Sequence, residues 1–486
     1  MEIDVGMPEP ADDAVSDTTT GVVVKSGRKK TLILVVAGFI AIFVVGGVFA
    51  FSKLSGGGVQ PEELLPSDTV GFAKIDLNPS FGQKIEFVRF VSHFSGTFKN
   101  FDSKDPVGSV LNKVSPTSTL NWDEIKPWIG NRFAIAGVQG SEGVLPVLII
   151  GVSNESQMKY YFAKHPPDFK YVVKGGFLLL ADSQGTLDIV AAAPKHLNSN
   201  TTYTSDLASL GGSQVAVLWG DLKPLLKTAG NTLELLNSNQ GLDSLKKTIE
   251  ETNVRIIVGL HFSSSSLVAT FLTRGEGTTD RTLFNSGETD LGDLPQETLA
   301  SLSIAGIGDY LSASMEKNRS VQSDLGLAGI STQEIKSILS GPLTVMVLSG
   351  VKKDDTPLFA IKLNPKDKLA ALSSLRSLLT KESFFLPIIP QIGSSGSDIY
   401  VGTDAESLQS VLDIVANTAS HLRDSAVYRQ SIPNPGSLLA YVDLQKLVPL
   451  LQLSGDALKF GTLSLVTAED KSHLGNTKTT ITVNLK

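Results

Sequence analysis

The sequence predicts an α+β fold: one N-terminal transmembrane helix, then an ectodomain of two duplicated halves, each a mainly antiparallel sheet with helices on one face. Three observations lead there. Residues 32–51, LILVVAGFIAIFVVGGVFAF, form an uncharged apolar run. A strand-like run ending in aspartate occurs four times, and larger blocks recur in the same order further along the chain.

The apolar run has 20 residues and no hydrogen-bonding side chain. At about 1.5 Å rise per residue it covers roughly 30 Å, the hydrocarbon thickness of a bilayer. Lys25, Arg28, Lys29 and Lys30 precede it and Lys53 alone follows closely. The excess of positive charge places the N-terminus in the cytoplasm and the rest outside. The exit, VFAFSKL, lacks the small-x-small pattern of a cleaved signal peptide, and the chain has no cysteine to acylate. Residues 32–51 are therefore expected as an uncleaved signal-anchor in the cell membrane.

Residues 1–31 are acidic before the basic flank, carry Pro, Ser and Thr, and lack apolar periodicity, as expected of a disordered cytoplasmic tail. Residues 52–63, with SGGG at their centre, read as a flexible linker. The remainder divides into residues 64–286 and 287–486, with GEGTTDRTLFNSGETDLGD as the crossing.

The repeated strand segments are LPSDTVGFAKIDL, LGGSQVAVLWGDL, LPQETLASLSIAGIGDY and IPNPGSLLAYVDL, with Asp76, Asp221, Asp309 and Asp443 expected at the strand ends. Aspartate directly before a helix accepts hydrogen bonds from the free N–H groups of the first turn and complements the helix dipole. The four are accordingly expected as structural helix caps, standing apart from one another. EIKPWIGNRFAIAGV recurs as EIKSILSGPLTVMVL, LPVLIIGV as TPLFAIKL, and FLLLADSQGTLDIV as DIYVGTDAESLQSVLDIV. Preserved order implies an internal duplication. Residues 254–273 read as a hairpin that closes the first half, and the 26 residues from Phe460 to Leu485 near the C-terminus read as its counterpart.

The block LLPSDTVGFAKIDLNPSFGQKIEFVRFVSHF, set just beyond a basic-flanked anchor, resembles a largely actinobacterial family of single-pass, membrane-anchored extracytoplasmic proteins filed as a domain of unknown function. Leu65, Pro66, Asp68 and Thr69 match its opening. Asp76 and Leu77 match its strand end, and Gly82, Gln83 and Lys84 its helix start. The resemblance is sharpest over this block and implies an outer-face location. It brings no active site.

With 42 Lys+Arg against 49 Asp+Glu, the formal net charge of −7 gives no basic surface for nucleic acid. The absence of cysteine excludes disulfides, thiolate nucleophiles and cysteine-ligated metals. His93, His165, His196, His261, His421 and His473 show no ligand spacing, and no cofactor fingerprint occurs. Ser-x-x-Lys appears at Ser156/Lys159, Ser244/Lys247, Ser314/Lys317 and Ser349/Lys352 without its companion motifs. SFFLPIIPQI, beginning at Ser383, is expected to pack against the sheet. No catalytic, cofactor or metal residues are assigned. The functional expectation is a membrane-tethered envelope module that binds or scaffolds a protein, lipid or cell-wall partner. The alternatives are a carrier of an apolar envelope molecule, which needs a cavity of several hundred cubic ångströms, and a hydrolase whose site is assembled from distant residues.

Overall fold

A computed structural model of the chain describes residues 58–94, 122–141, 143–233, 249, 253–263, 265–275, 287–317, 331–350, 357–380, 390–470 and 476–486. The tail, its basic residues Lys25, Arg28, Lys29 and Lys30, and the apolar run at 32–51 lie outside these. So does most of SFFLPIIPQI, although Gln391 and Ile392 open a strand. Among the described residues no helix is long and apolar enough to cross a membrane.

The first half runs β1 (Gly71–Asp76), α1 (Phe81–Ser92), α2 (Trp122–Ile125), β2 (Ile129–Gly140), β3 (Gly143–Val152), α3 (Glu155–Lys164), β4 (Lys170–Lys174), β5 (Phe177–Ala181), α4 (Gln184–Ala192), α5 (Thr201–Ala208), β6 (Ala216–Asp221), α6 (Leu222–Leu233), β7 (Arg255–Ser263) and β8 (Ser266–Arg274). The second runs β9 (Thr298–Ile304), α7 (Ile307–Lys317), α8 (Thr332–Ile338), β10 (Leu343–Leu348), β11 (Leu358–Leu363), α9 (Lys368–Thr380), β12 (Gln391–Ser395), β13 (Asp398–Gly402), α10 (Ala405–Asn417), α11 (Ala426–Ser431), β14 (Leu438–Asp443), α12 (Leu444–Leu450), β15 (Phe460–Glu469) and β16 (Thr477–Leu485).

The class is α+β, built on one large antiparallel sheet. Among the described residues its 16 strands follow the order β12-β13-β11-β10-β9-β14-β15-β16-β8-β7-β6-β1-β2-β3-β5-β4. Two separate sheets were expected, but β8 and β16 pair from Thr477↔Thr273 to Asn484↔Ser266 and fuse them. The segments 133–138 and 343–348 lie in β2 and β10, each flanked by the opening strand of its half and by the strand that follows. Local bonds also correspond. Thr69 Oγ1 donates to Pro66 O and Thr298 Oγ1 to Pro295 O, both at 2.7 Å. Leu197 N–H reaches Leu65 O as Leu422 N–H reaches Leu294 O.

Helices cover both faces of the sheet, which corrects the expectation of one. Alternation along a strand sends neighbouring side chains to opposite faces. In β5, Leu179 and Ala181 join the cluster under α4 and α5, while Leu178 and Leu180 join Met158 of α3 and Trp128. In the second half Leu358 and Ala360 pack with Leu408 and Val411 of α10, and Leu363 with Ile338 of α8 and Ala371 of α9. A strand buried on both faces has no reason to alternate, and FLLLA does not.

Where the halves meet, buried polar groups pair across the seam, although Arg274 Nε and Nη2 have no hydrogen-bond partner among the described residues. Ser266 Oγ donates to Asn484 Oδ1; Asn484 Nδ2 donates to Ser431 Oγ and Thr462 Oγ1, each at 2.8 Å. At the opposite end of β8, Arg274 pairs with Asp470 of the second half and lies 3.7 Å from Asp206 of α5. Asp206 is also held by Arg255 Nε and Trp219 Nε1, each at 2.9 Å. Removing one member of such a buried set leaves its partners charged and dehydrated. Arg274→Ala is expected to lower unfolding free energy by about 3–5 kcal/mol in urea denaturation. His261 of β7 is held below the ordinary histidine pKa of 6.5, first by burial and then by Lys478. Its folded form binds protons less readily than its unfolded form, so its contribution is present above pH 6.5 and lost as pH falls through the folded pKa. His261→Gln is expected to flatten stability against pH in that acidic window, read by thermal unfolding at stepped pH.

Candidate functional site

Take the end of the sheet at which β1 finishes as the upper end. Strand pairing then carries Asp76 of β1 and Asp443 of β14 to the upper end, and Asp221 of β6 and Asp309 of α7 to the lower. Six strand spacings separate β1 from β14, roughly 29 Å at about 4.8 Å each. The four aspartates therefore do not converge.

They are not alike either. Asp443 is the N-cap of α12, accepting from Lys446 N–H at 3.2 Å. Asp221 directly precedes α6 and accepts from Lys223 N–H at 3.2 Å. Two positions need correction. Asp309 is not at a strand end: β9 stops at Ile304, and Asp309 is the third residue of α7, exposed in its first turn. In the longer segment LASLSIAGIGDY the strand stops five residues short of the aspartate, and Gly306, at φ +69°, turns the chain into the helix. Asp76 caps no helix, since α1 starts five residues later. Its Oδ1 accepts from Asn78 N–H at 2.8 Å in a local turn, and its Oδ2 pairs with Arg132 Nε at 3.1 Å.

That pair belongs to a polar cluster at the upper end of the first half. Arg132 also donates through Nη1 to Val59 O at 3.1 Å, tying the start of the described chain to β2. Lys84 of α1 is buried and donates to Asn78 Oδ1 at 2.6 Å. Burial lowers the Lys84 pKa below the usual lysine value; Asp76 opposes this and Arg132 adds to it. Two cations thus face one carboxylate.

Beside the cluster lies a recess of about 190 Å³, its walls including Asn78, Asn131, Arg132, Val152, Gly151 and Gly176. A bulge shapes it. Pairing of β2 with β3 jumps from Ile129↔Val152 to Phe133↔Ile150, so Gly130, Asn131 and Arg132 stand against Gly151 alone. Bulges of this kind re-aim side chains and recur beside functional sites. The glycines are required by close approach: a Cβ on Gly130 would stand 2.7 Å from the Gly151 carbonyl carbon. Gly176, at φ +80°, forms the turn that completes the wall.

The second half has no equal to this cluster at the matching register. Ile75↔Phe133 corresponds to Ile304↔Leu343, so the next positions are Asp76 and Arg132 in one half and Ala305 and Pro342 in the other. There α7 begins two residues after Ala305 and packs closely, a Cβ on Gly308 falling 2.4 Å from Leu339 O. Sequence reasoning missed Arg132, although its basic side chain in an otherwise apolar strand, with Gly130 and Asn131 before it, was a readable signal.

Other chemistry-bearing residues are dispersed. Lys159 is bound to Glu155 at 2.7 Å, His165 to Glu124 at 2.9 Å, and His93 Nδ1 lies 2.8 Å from Arg89 O. Among the described residues no group of three or more His, Asp or Glu is placed to hold a metal.

No protein-family model matches the chain. No curated protein matches it either. A solved structure titled "Structure of crystal form I of TP0453" is similar at 9% identity, covering 75% of this chain and 99% of that one, with a TM-score of 0.15. A superposition that weak carries no argument here.

The cap geometries separate two residues that the sequence made look alike. Asp443→Ala is expected to lower stability by about 1 kcal/mol, through the lost bond to Lys446 N–H. Asp309→Ala is expected to cost about half that or less, because only the dipole interaction is removed. Chemical denaturation of the two variants decides it.

Proposed function

We propose that this chain is a single-pass, membrane-tethered protein of the cell envelope whose outer module binds its partner rather than transforming it. Its binding site is the recess beside Arg132, and the group recognised is a small anion, a carboxylate or phosphate borne by an envelope molecule. The observation that carries this reading is the asymmetry of the two halves. At the matching register one half carries Asp76, Arg132 and a bulge against Gly151, where the other carries Ala305 and Pro342 just before β10 begins its pairing at Leu343. The halves themselves we take to descend from one duplicated unit, on the strength of their matched strand order and local bonds.

The chemistry suits an anion. A guanidinium offers planar, charge-assisted donors, and glycine walls let a ligand approach the backbone closely. At about 190 Å³ the recess holds a headgroup-sized moiety and falls short of what an apolar carrier needs. The full chain in nanodiscs tests the reading, with inorganic phosphate and acetate as probes. Binding to the folded state alone raises the unfolding midpoint with ligand concentration. One or both anions are expected to do so, with apparent affinity at least tenfold weaker in Arg132→Gln and intermediate in Arg132→Lys. No shift with either anion in the unaltered chain, or an equal shift in Arg132→Gln, overturns the assignment.

A further inference from the structure

The upper end of the sheet also carries exposed apolar side chains from both halves. On α1, Phe87 and Phe90 face inward, stacking on Phe262 of β7 at centroid distances of 5.2 and 5.3 Å. Gln83 fixes the helix there through a reciprocal pair, its Nε2 donating to Phe262 O at 2.9 Å and its Oε1 accepting from Phe262 N–H at 2.8 Å. The outward side is apolar too. Phe81, Ile85 and Val88, spaced four and three residues apart on one helix face, are 56%, 37% and 58% exposed. Phe94, just beyond α1, stacks on Phe460 at 5.4 Å, which brings the helix to the start of β15.

At that point the second half presents its own apolar group. Leu450, Leu451, Leu453 and Leu458 follow the upper end of β14 through α12 and the turn into β15, and are 42%, 57%, 50% and 40% exposed. Basic residues Arg89, Lys459 and Lys486 are exposed at the same end, with Glu86 and Asp456 among them. A concentration of large apolar groups at one end of a sheet marks a contact surface. The direction of the chain names the occupant. Val59 stands at this end, bonded to Arg132, and only six residues lie between Phe51, the last of the apolar run, and Gly58. The seven Cα–Cα steps from one to the other reach at most about 25 Å.

We infer that the upper end of the sheet rests on the phospholipid bilayer, with the outward face of α1 and the leucines after α12 buried in the interfacial layer. The inference rests on the reading of residues 32–51 as the anchor. An apolar helix face flanked by a long basic side chain suits that layer, the stem lying among lipid chains and the guanidinium among headgroups. It also turns the Arg132 recess toward the membrane surface, since both are at the upper end.

The chain has no cysteine, so one introduced thiol is a unique label. Val88→Cys and Leu453→Cys probe the upper end, and Leu369→Cys, 80% exposed on α9 at the lower end, serves as reference. Each full-length variant, checked for its fold by circular dichroism, carries an environment-sensitive fluorophore in phosphatidylcholine–phosphatidylglycerol vesicles with nitroxide-bearing lipid. Quenching at 88 and 453 at least threefold stronger than at 369 is the expected result. Quenching that is equal at all three sites, or absent at 88 and 453 in protein that floats with the vesicles, overturns the inference and leaves the anchor standing. Shielding of those labels from a water-soluble quencher without lipid quenching assigns the surface to protein contact and overturns it as well. Protein that does not float with the vesicles overturns the anchor reading and this inference together.

Discussion

The antiparallel ladder between β8 and β16 is the contact on which the rest of the architecture depends. Each half alone would end in a long strand with an open row of N–H and C=O groups, a template for unwanted pairing. Joining the two removes both edges at once. What remains outermost are β4 and β12, five residues each, and β4 begins and ends in lysine. Short, charged edges are the usual protection against edge-to-edge association.

Fusion through that ladder imposes a chemical condition on the seam. A backbone pair brings side chains of the two halves within contact on each face, so their polar groups must find partners across it. The Ser266, Asn484, Thr462 and Ser431 set answers the condition near the upper end, and Arg274 with Asp470 answers it near the lower. Apolar clusters belonging to each half lie to either side. The third cluster crosses the seam, with Phe90 and Phe262 from one half and Leu485 from the other. The halves are thus separate in their principal cores and continuous in their sheet.

The antiparallel seam also sets direction. It turns the second half so that the end of β14 lies level with the end of β1, which brings α1 and α12 to one end of the molecule. The polar recess is at that end in the first half, where a four-residue spacer separates β1 from α1 and a bulge interrupts β2. In the second half the helix starts almost at once and closes the equivalent space. Loop length can change at such strand ends without disturbing the buried ladder.

Sequence pattern by itself determined the α+β class and several of the strands, because strand period and turn residues are local properties of the chain, but the edge strands β4 and β12 were not legible in it. The hairpin read from residues 254–273 is β7 with β8, and Asp443 before LQKLVPLL caps its helix. Other features came only with the tertiary structure. Helices on both faces were written in the unbroken apolar runs of β3 and β5, but such runs do not say what covers the second face. Asp309 and Asp76 resemble Asp443 in sequence and differ in space, since a shift of a few residues decides whether a carboxylate meets a helix N–H or an arginine on the next strand. The fusion of two sheets and the Arg132 recess depend on residues far apart in the chain, Thr273 with Thr477 and Asp76 with Arg132. Local pattern marks many of the segments that become strands; only the folded register decides which of their side chains meet.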